Sequence, residues 1–432
     1  MSELEKSTMS KVTWRLVPFL MVCYFIAYLD RVNISFAGDS LIKDLDLTKA
    51  AFGGAAGIFF IAYFFFEVPS NLALDRFGAR LWIARIMFTW GLVTGAQAFV
   101  TGIVSLNVVR FLLGVAEAGF FPGIIFFLTL WFPAAYRARI VGMFMVAIPV
   151  STVFGAPLSS LILYLDGVAA LHGWQWMFLL EALPALLMAF AVYFYLTDRP
   201  HAANWLSPEE SRWLQGQLDA ERANRERHGA MSWLRSMCDP RVVALGFVYM
   251  GCNIPQYGLS FFLPQIVKAF GDLTKFQVGC ITALPYAVGA LGMIYWGWRS
   301  DRHAERKWHA IIPLGAIVLG LGLAAMMEMP TAKMACLCIA GFGFFAVLPV
   351  FWTLPTTFLT GTGAAAGIAA VNSIGNLGGF FGPQVFGWLK DKTGQDAASL
   401  SFLAACAVVG AVIVFVLGHN PTLERPAAKQ TA

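Results

Sequence analysis

The chain has 432 residues, of which 58% are hydrophobic and 13% charged, and its mean hydropathy is +0.68. A water-soluble core needs no such excess, so composition points to an all-α membrane protein of many spans. The net charge of +5 follows basic residues gathered on one side of the apolar runs and gives no case for nucleic-acid binding. Without a nucleotide loop, metal-ligand spacing or nucleophile–base arrangement, enzymatic chemistry is not expected.

Apolar stretches separated by short polar breaks run roughly over 15–37, 51–73, 82–101, 104–130, 139–163 and 174–196, then 242–268, 276–298, 309–328, 334–358, 364–389 and 399–419. About twelve transmembrane helices are predicted. A short charged segment with no small-residue cleavage site precedes the first, which is therefore expected to stay as a membrane helix. That span holds Asp30 and Arg31, and the fourth holds Arg110 and Glu117. A charge at the centre of a membrane helix costs roughly 2.5–3.5 kcal/mol on insertion scales, so these four residues mark a pathway. They can neutralise one another or exchange those partners for a substrate anion and a proton. Tyr24, Tyr28, Arg31 and Ser35 fall on one helical face, and the planar donors of an arginine suit a carboxylate. Adjacent residues point apart on a helix, so Asp30 and Arg31 should find partners elsewhere. At 1.5 Å per residue, Arg31 and Arg110 both come out about 9 Å below the outer ends of their spans. We therefore expect Asp30 to approach Arg110 when substrate is absent. Glu117 lies two turns from Arg110, with Gly114 between them allowing close backbone approach. A substrate that draws an arginine away would favour protonation of Glu117.

Glu67 and Glu181, nearer the ends of their spans, read as structural hydrogen-bond partners. After the second span come Asp75, Arg76, Gly78 and Arg80, and after the eighth come Asp301 and Arg302. A repeated acid–base turn half a chain apart implies two similar bundles with a site between them. The hydrophilic break divides the chain into a six-helix bundle over 1–196, a linker over 197–240 and a second six-helix bundle over 241–432. Within the linker, Ser207, Pro208 and Glu210 form a capping box that starts an amphipathic helix at the cytoplasmic surface. Lysines and arginines put both termini in the cytoplasm. The prolines and glycines from Gly142 to Pro157 and from Gly375 to Pro383 are packing and bending positions.

These features resemble the major facilitator superfamily, whose loop after the second helix follows a G-x-x-x-D-R-x-G-R-R-like pattern. Asn71 and Ala79 depart from it, while Asp75, Arg76, Gly78 and Arg80 stay in register. The chain is further similar to the anion:cation symporter branch. The likeness rests on Tyr28 to Asn33, on Glu67, Pro69 and Asn71, and on Arg110 to Gly123, together with Gly173 to Glu181 and Asn372 to Asn376. The resemblance implies a twelve-helix proton-coupled symporter that imports a small organic carboxylate, either a tartrate-like hydroxy acid or an aromatic acid such as phthalate or nicotinate. It implies Asp30 and Glu117 as protonation sites, and Tyr28, Arg31, Tyr63, Gln256, Trp352 and Asn372 around the substrate, with Arg110 a further anion-binding candidate. Asp75, Arg76, Gly78, Arg80, Asp301 and Arg302 would act as gates. The proton would be the coupling ion, with no metal or other cofactor. The expected partners are an organic anion and the lipid bilayer, in a monomer of a bacterial inner membrane. A carboxylate exchanger or facilitator without net proton flow, or a sensor of the same fold, are the alternatives.

Overall fold

The computed structural model describes residues 3–227, 237–303, 305–354 and 361–417, and the ordered elements among them are helices. The first six membrane passes are α1 (Glu3–Asp44), α2 (Lys49–Phe77), α3 (Ala79–Ala96), the pair α4 (Ile103–Glu117) and α5 (Phe120–Thr129), the pair α6 (Ala134–Met145) and α7 (Ala147–Ile162), and α8 (Gly173–Tyr195). Helix α9 (Pro208–Arg227) follows. The second six are α10 (Pro240–Lys268), α11 (Lys275–His303), α12 (Lys307–Met326), α13 (Pro330–Phe351), the pair α14 (Gly361–Asn376) and α15 (Gly378–Thr393), and α16 (Asp396–Leu417). By length and composition, nine of the described helical stretches suit a bilayer. Large apolar side chains such as Phe154, Leu187, Phe194, Leu291 and Phe415 remain exposed on the outside, as lipid contact requires.

Local sequence explains the ends and breaks. Thr48 caps α2 by accepting from the Ala51 N–H at 3.0 Å. Gly78, at φ 90°, turns the chain straight into α3. The fourth pass breaks just after Glu117, where Gly119 adopts φ 87° against Ser70 and a Cβ would collide with that side chain. The expected capping box of α9 is present: the Glu210 N–H donates to Ser207 Oγ at 3.2 Å and the Ser207 N–H to Glu210 Oε2 at 2.9 Å.

One expectation needs correction. The first span ends at Asp44 rather than near residue 37 and begins at Glu3, making a 42-residue helix of about 63 Å. Its polar ends hid the extension, since Glu3, Lys6, Asp39 and Lys43 are helical without being apolar. Helix α9 rests its apolar face on the protein: Leu214 is buried, Trp205 just ahead of the helix stacks on Trp131 with centroids 5.3 Å apart, and Glu210 takes the Lys11 ammonium of α1 at 2.7 Å.

The halves meet where α1 packs on α10, α2 on α15 and α7 on α11. These contacts are tightest on the face opposite α9, here the far face. There Gly53 and Gly57 of α2 lie against the backbone of Pro383 and Phe380, and Gly279 of α11 lies against Ala156 and Ser160 of α7. Charged ends close the same face. Lys268 donates to Asp39 at 2.8 Å, and Asp391 accepts the Ala50 N–H at 2.7 Å.

Candidate functional site

Between the halves lies a narrow cavity. From the first half, Tyr24, Tyr28, Arg31 and Tyr63 line it; from the second, Tyr249, Asn253, Gln256, Tyr257, Asn372 and Asn376 are among the lining groups. Helical spacing accounts for the wall on α1, with Tyr24, Tyr28 and Arg31 on one face. Ser35 turns away and donates to the Val32 carbonyl at 2.6 Å.

Arg31 is the centre of the site. Its guanidinium bonds the Glu117 carboxylate in a buried ion pair and donates to the Tyr257 hydroxyl at 3.4 Å. The hydroxyls of Tyr28 and Tyr257 are 3.1 Å apart, so a hydrogen bond joins the halves beside it. Rings of Phe59, Tyr28 and Tyr63 stand 5.2, 5.3 and 5.6 Å from the guanidinium carbon. This box holds a cation by π-faces as well as by charge.

The expected approach of Asp30 to Arg110 is absent. Asp30 faces the other side of α1 and accepts from the Trp90 indole N–H. Arg110, fully buried, donates from Nε to the Ala55 carbonyl at 3.3 Å and from Nη2 to that of Ala56 at 3.1 Å. The helix ends explain the error. With α1 running to Asp44 and α4 starting at Ile103, Arg31 and Glu117 each lie roughly 20 Å from the far end, whereas Arg110 lies about 10 Å from it. Depth therefore matches Arg31 to Glu117. Gly114 draws α4 onto α2, where a Cβ would strike the Phe59 carbonyl, and this contact holds Arg110 against α2.

The other expected site residues divide. Tyr28, Arg31, Tyr63, Gln256 and Asn372 reach the cavity. Trp352 stands behind it, edge-on to the lining Tyr249 with centroids 5.1 Å apart. Asn372 also donates to Glu67 Oε1 at 2.7 Å, and Ser373 to Oε2 at 3.2 Å, so buried Glu67 ties α2 to α14. Asn253, Tyr257 and Glu67 were not among the expected binding residues. Polar side chains at 249, 253, 256 and 257 of an apolar helix form one stripe, and that stripe was the available signal.

At the positions expected to gate, the Arg80 N–H donates to Asp198 Oδ1 at 2.8 Å, and its guanidinium lies 5.3 Å from the Tyr193 ring. The Asp198 carboxylate also packs on Gly78. Arg76 and Arg302 are exposed over Phe77 and Trp298. The side chains of Asp75 and Asp301 lie outside the described residues.

The profile of the Major Facilitator Superfamily matches residues 20–383. A relative from Agrobacterium vitis named a putative tartrate transporter is 48% identical over 97% of this chain and 96% of its own. A quinolone resistance transporter of Acinetobacter baumannii is 41% identical over 96% of both chains. Among solved structures, an inward-facing, occupied bacterial homologue of the human lysosomal transporter Spinster superposes with a TM-score of 0.74 at 16% identity, covering 93% of this chain and 96% of that one. That likeness concerns the fold. Helical passes of the described residues in two halves around a central polar cavity, with the profile match along most of the sequence, make this chain a member of the Major Facilitator Superfamily, a membrane transporter rather than an enzyme.

Proposed function

We propose that the chain imports a small organic carboxylate together with protons by alternating access between its two six-helix halves, 1–196 and 241–432, joined by the linker over 197–240. The buried Arg31–Glu117 pair at the wall of the cavity carries this reading. A substrate carboxylate entering the cavity offers Arg31 a planar, bidentate partner in place of Glu117. Glu117, deprived of its cation in a dry setting, then takes a proton, so anion and proton occupy the site together. Tyr28 and Tyr257 offer hydroxyls to the same anion, while Gln256 and Asn372 bring amides from the second half. A ligand that bridges the halves favours their closure around it.

The name of the Agrobacterium vitis relative supports a hydroxy acid as substrate. Basic residues support a cytoplasmic linker face, and the bacterial relatives support a bacterial inner-membrane location. The motif over Asp75–Arg80, anchored on Asp198, and the Asp301–Arg302 turn serve as gates on that face, in a monomer that needs no cofactor besides the proton.

Purified protein in liposomes, given an inward proton gradient, tests the proposal with tartrate, phthalate, nicotinate, sugar acids and a quinolone. Gradient-dependent accumulation of a carboxylate, lost in Asp30→Asn and Glu117→Gln, is expected. Exchange indifferent to the gradient and to both substitutions would make the chain an exchanger or facilitator. Binding without movement would make it a sensor.

A further inference from the structure

On the side of α1 turned from the cavity, the first half holds a second polar column. It begins at Asp30 and rises toward the far face through Asn33 of α1, Thr94 of α3 and Gln97 in the turn that follows it, Thr152 and Ser159 of α7 and Glu181 of α8. None of these is more than 2% exposed. The spacing is that of inward faces: 90 and 94 on α3, with 97 just past its end, and 152 and 159 on α7. Two full hydrogen bonds serve the group, from Trp90 to Asp30 and from Ser159 to Glu181 at 2.6 Å. Thr94 faces Asp30 and Asn33 faces Glu181 in looser contacts.

Much is left without a partner. Both amide atoms of Gln97 and the Thr152 hydroxyl are buried without a hydrogen bond, and Asp30 Oδ1, the Thr94 hydroxyl, the Asn33 amide and Glu181 Oε2 are buried with only those looser contacts. A native interior keeps few such groups, and one that gathers so many in a single place holds them with water. Charge points the same way. Arg31 turns to the cavity and Arg110 to α2, so among the described residues neither buried arginine pairs with Asp30 or Glu181. At the far face Trp174, two turns before Glu181 on α8, donates to Asp44 Oδ2 at 2.9 Å. His172 lies 3.2 Å from the same oxygen and 4.0 Å from Asp166. Titratable, solvent-reaching groups thus stand at the column's mouth.

We propose that this column is a hydrated proton route from the far face to Asp30, separate from the substrate cavity, with Glu181 as its relay. Glu181 takes a proton from water above it and releases one to water below. Asp30 accepts that proton, and only O–H bonds form and break. Helix α1 then carries substrate at Arg31, beside the Glu117 proton site, on one face and this second proton path, at Asp30, on the other. The inference rests on the proton-symport reading and adds a path to it.

The test compares gradient-driven accumulation with counterflow exchange at equal pH, using radiolabelled tartrate or whichever acid of the panel above the wild type accumulates. Glu181→Gln and the Asn33→Leu, Thr94→Val pair should lower driven accumulation and dye-reported proton entry at least about tenfold, leave most of the counterflow, and recover in part with Glu181→Asp. Counterflow guards against misfolding. Driven accumulation unchanged in both variants, or counterflow lost in equal measure, overturns the route. A wild type indifferent to the gradient overturns the symport reading first.

Discussion

The two buried arginines do different work because their donors end in different places. Arg31 gives its guanidinium to a carboxylate, a phenol and three ring faces beside the cavity, whereas Arg110 gives its own to helix carbonyls. Arg31→Lys keeps the charge but loses the planar fork and the stacking. Uptake should fall more than about tenfold if a bidentate contact is lost, with folding intact by chromatography; near-normal uptake would remove the planar contact from the mechanism. Tyr257→Phe deletes the hydroxyl that meets both Arg31 and Tyr28. At about 1 kcal/mol per hydrogen bond, KM should rise roughly fivefold, and an unchanged KM would leave that hydroxyl without a part in binding. Asp30 and Arg110, which share no contact, should act independently. In an Asp30→Asn, Arg110→Gln cycle read by thermal unfolding, their interaction energy should stay below about 0.5 kcal/mol, and a larger value would bring back the contact the sequence suggested.

At the scale of elements, the linker helix is fastened to α1 by one carboxylate. Burial works to raise the Glu210 carboxyl, but the Lys11 ammonium, the Ser207 N–H and the Ser7 hydroxyl overcome it and hold the group below its ordinary value. A depressed folded value means that the docked state gains stability above the unfolded value and loses it as pH falls through the folded one. Amide exchange over 208–221, corrected for intrinsic rates, should quicken in that acidic window. Glu210→Gln should exchange fast throughout; protection independent of both pH and Glu210 would place the docking in Leu214 and Trp205 instead. The capping box was legible because cap chemistry is local, requiring Ser207 and Glu210 to meet only each other. The docking was not, because its partners lie on α1, far away in sequence. The end of α1 failed for a related reason: hydropathy reports where a helix is apolar, while Asp39 and Lys43 continue it as a polar rod beyond the apolar stretch. That error propagated into the site by setting Arg31 at the depth of Arg110 rather than of Glu117.

For the whole molecule, the repeated acid–base turns announced two halves, and the aromatic and charged face of α1 announced one wall of the cavity. The opposite wall, carried by Asn253 and Tyr257, depended on how the halves meet, which no local pattern encodes. That meeting is set by small residues on the far face. Glycines at 53 and 57 allow the α2 and α15 backbones to touch, and the Lys268–Asp39 pair and the Asp391 cap hold the rim. Interfaces packed this closely switch between discrete arrangements rather than stretch. A bulky side chain at the glycine contact should therefore move the population toward the state open at that face. Spin labels at the exposed positions Lys43 and Asp272, one on each half in a cysteine-free background, read this directly. Wild type should give one dominant short distance, and Gly53→Leu should add a longer one, which Asp39→Asn strengthens by releasing Lys268. Since the proposed alternating access needs both states, transport should fall even though neither substitution touches the cavity. A distance distribution unmoved by Gly53→Leu would mean that the glycine contact follows closure instead of setting it, and would leave the occupancy of Arg31 to decide which face is shut.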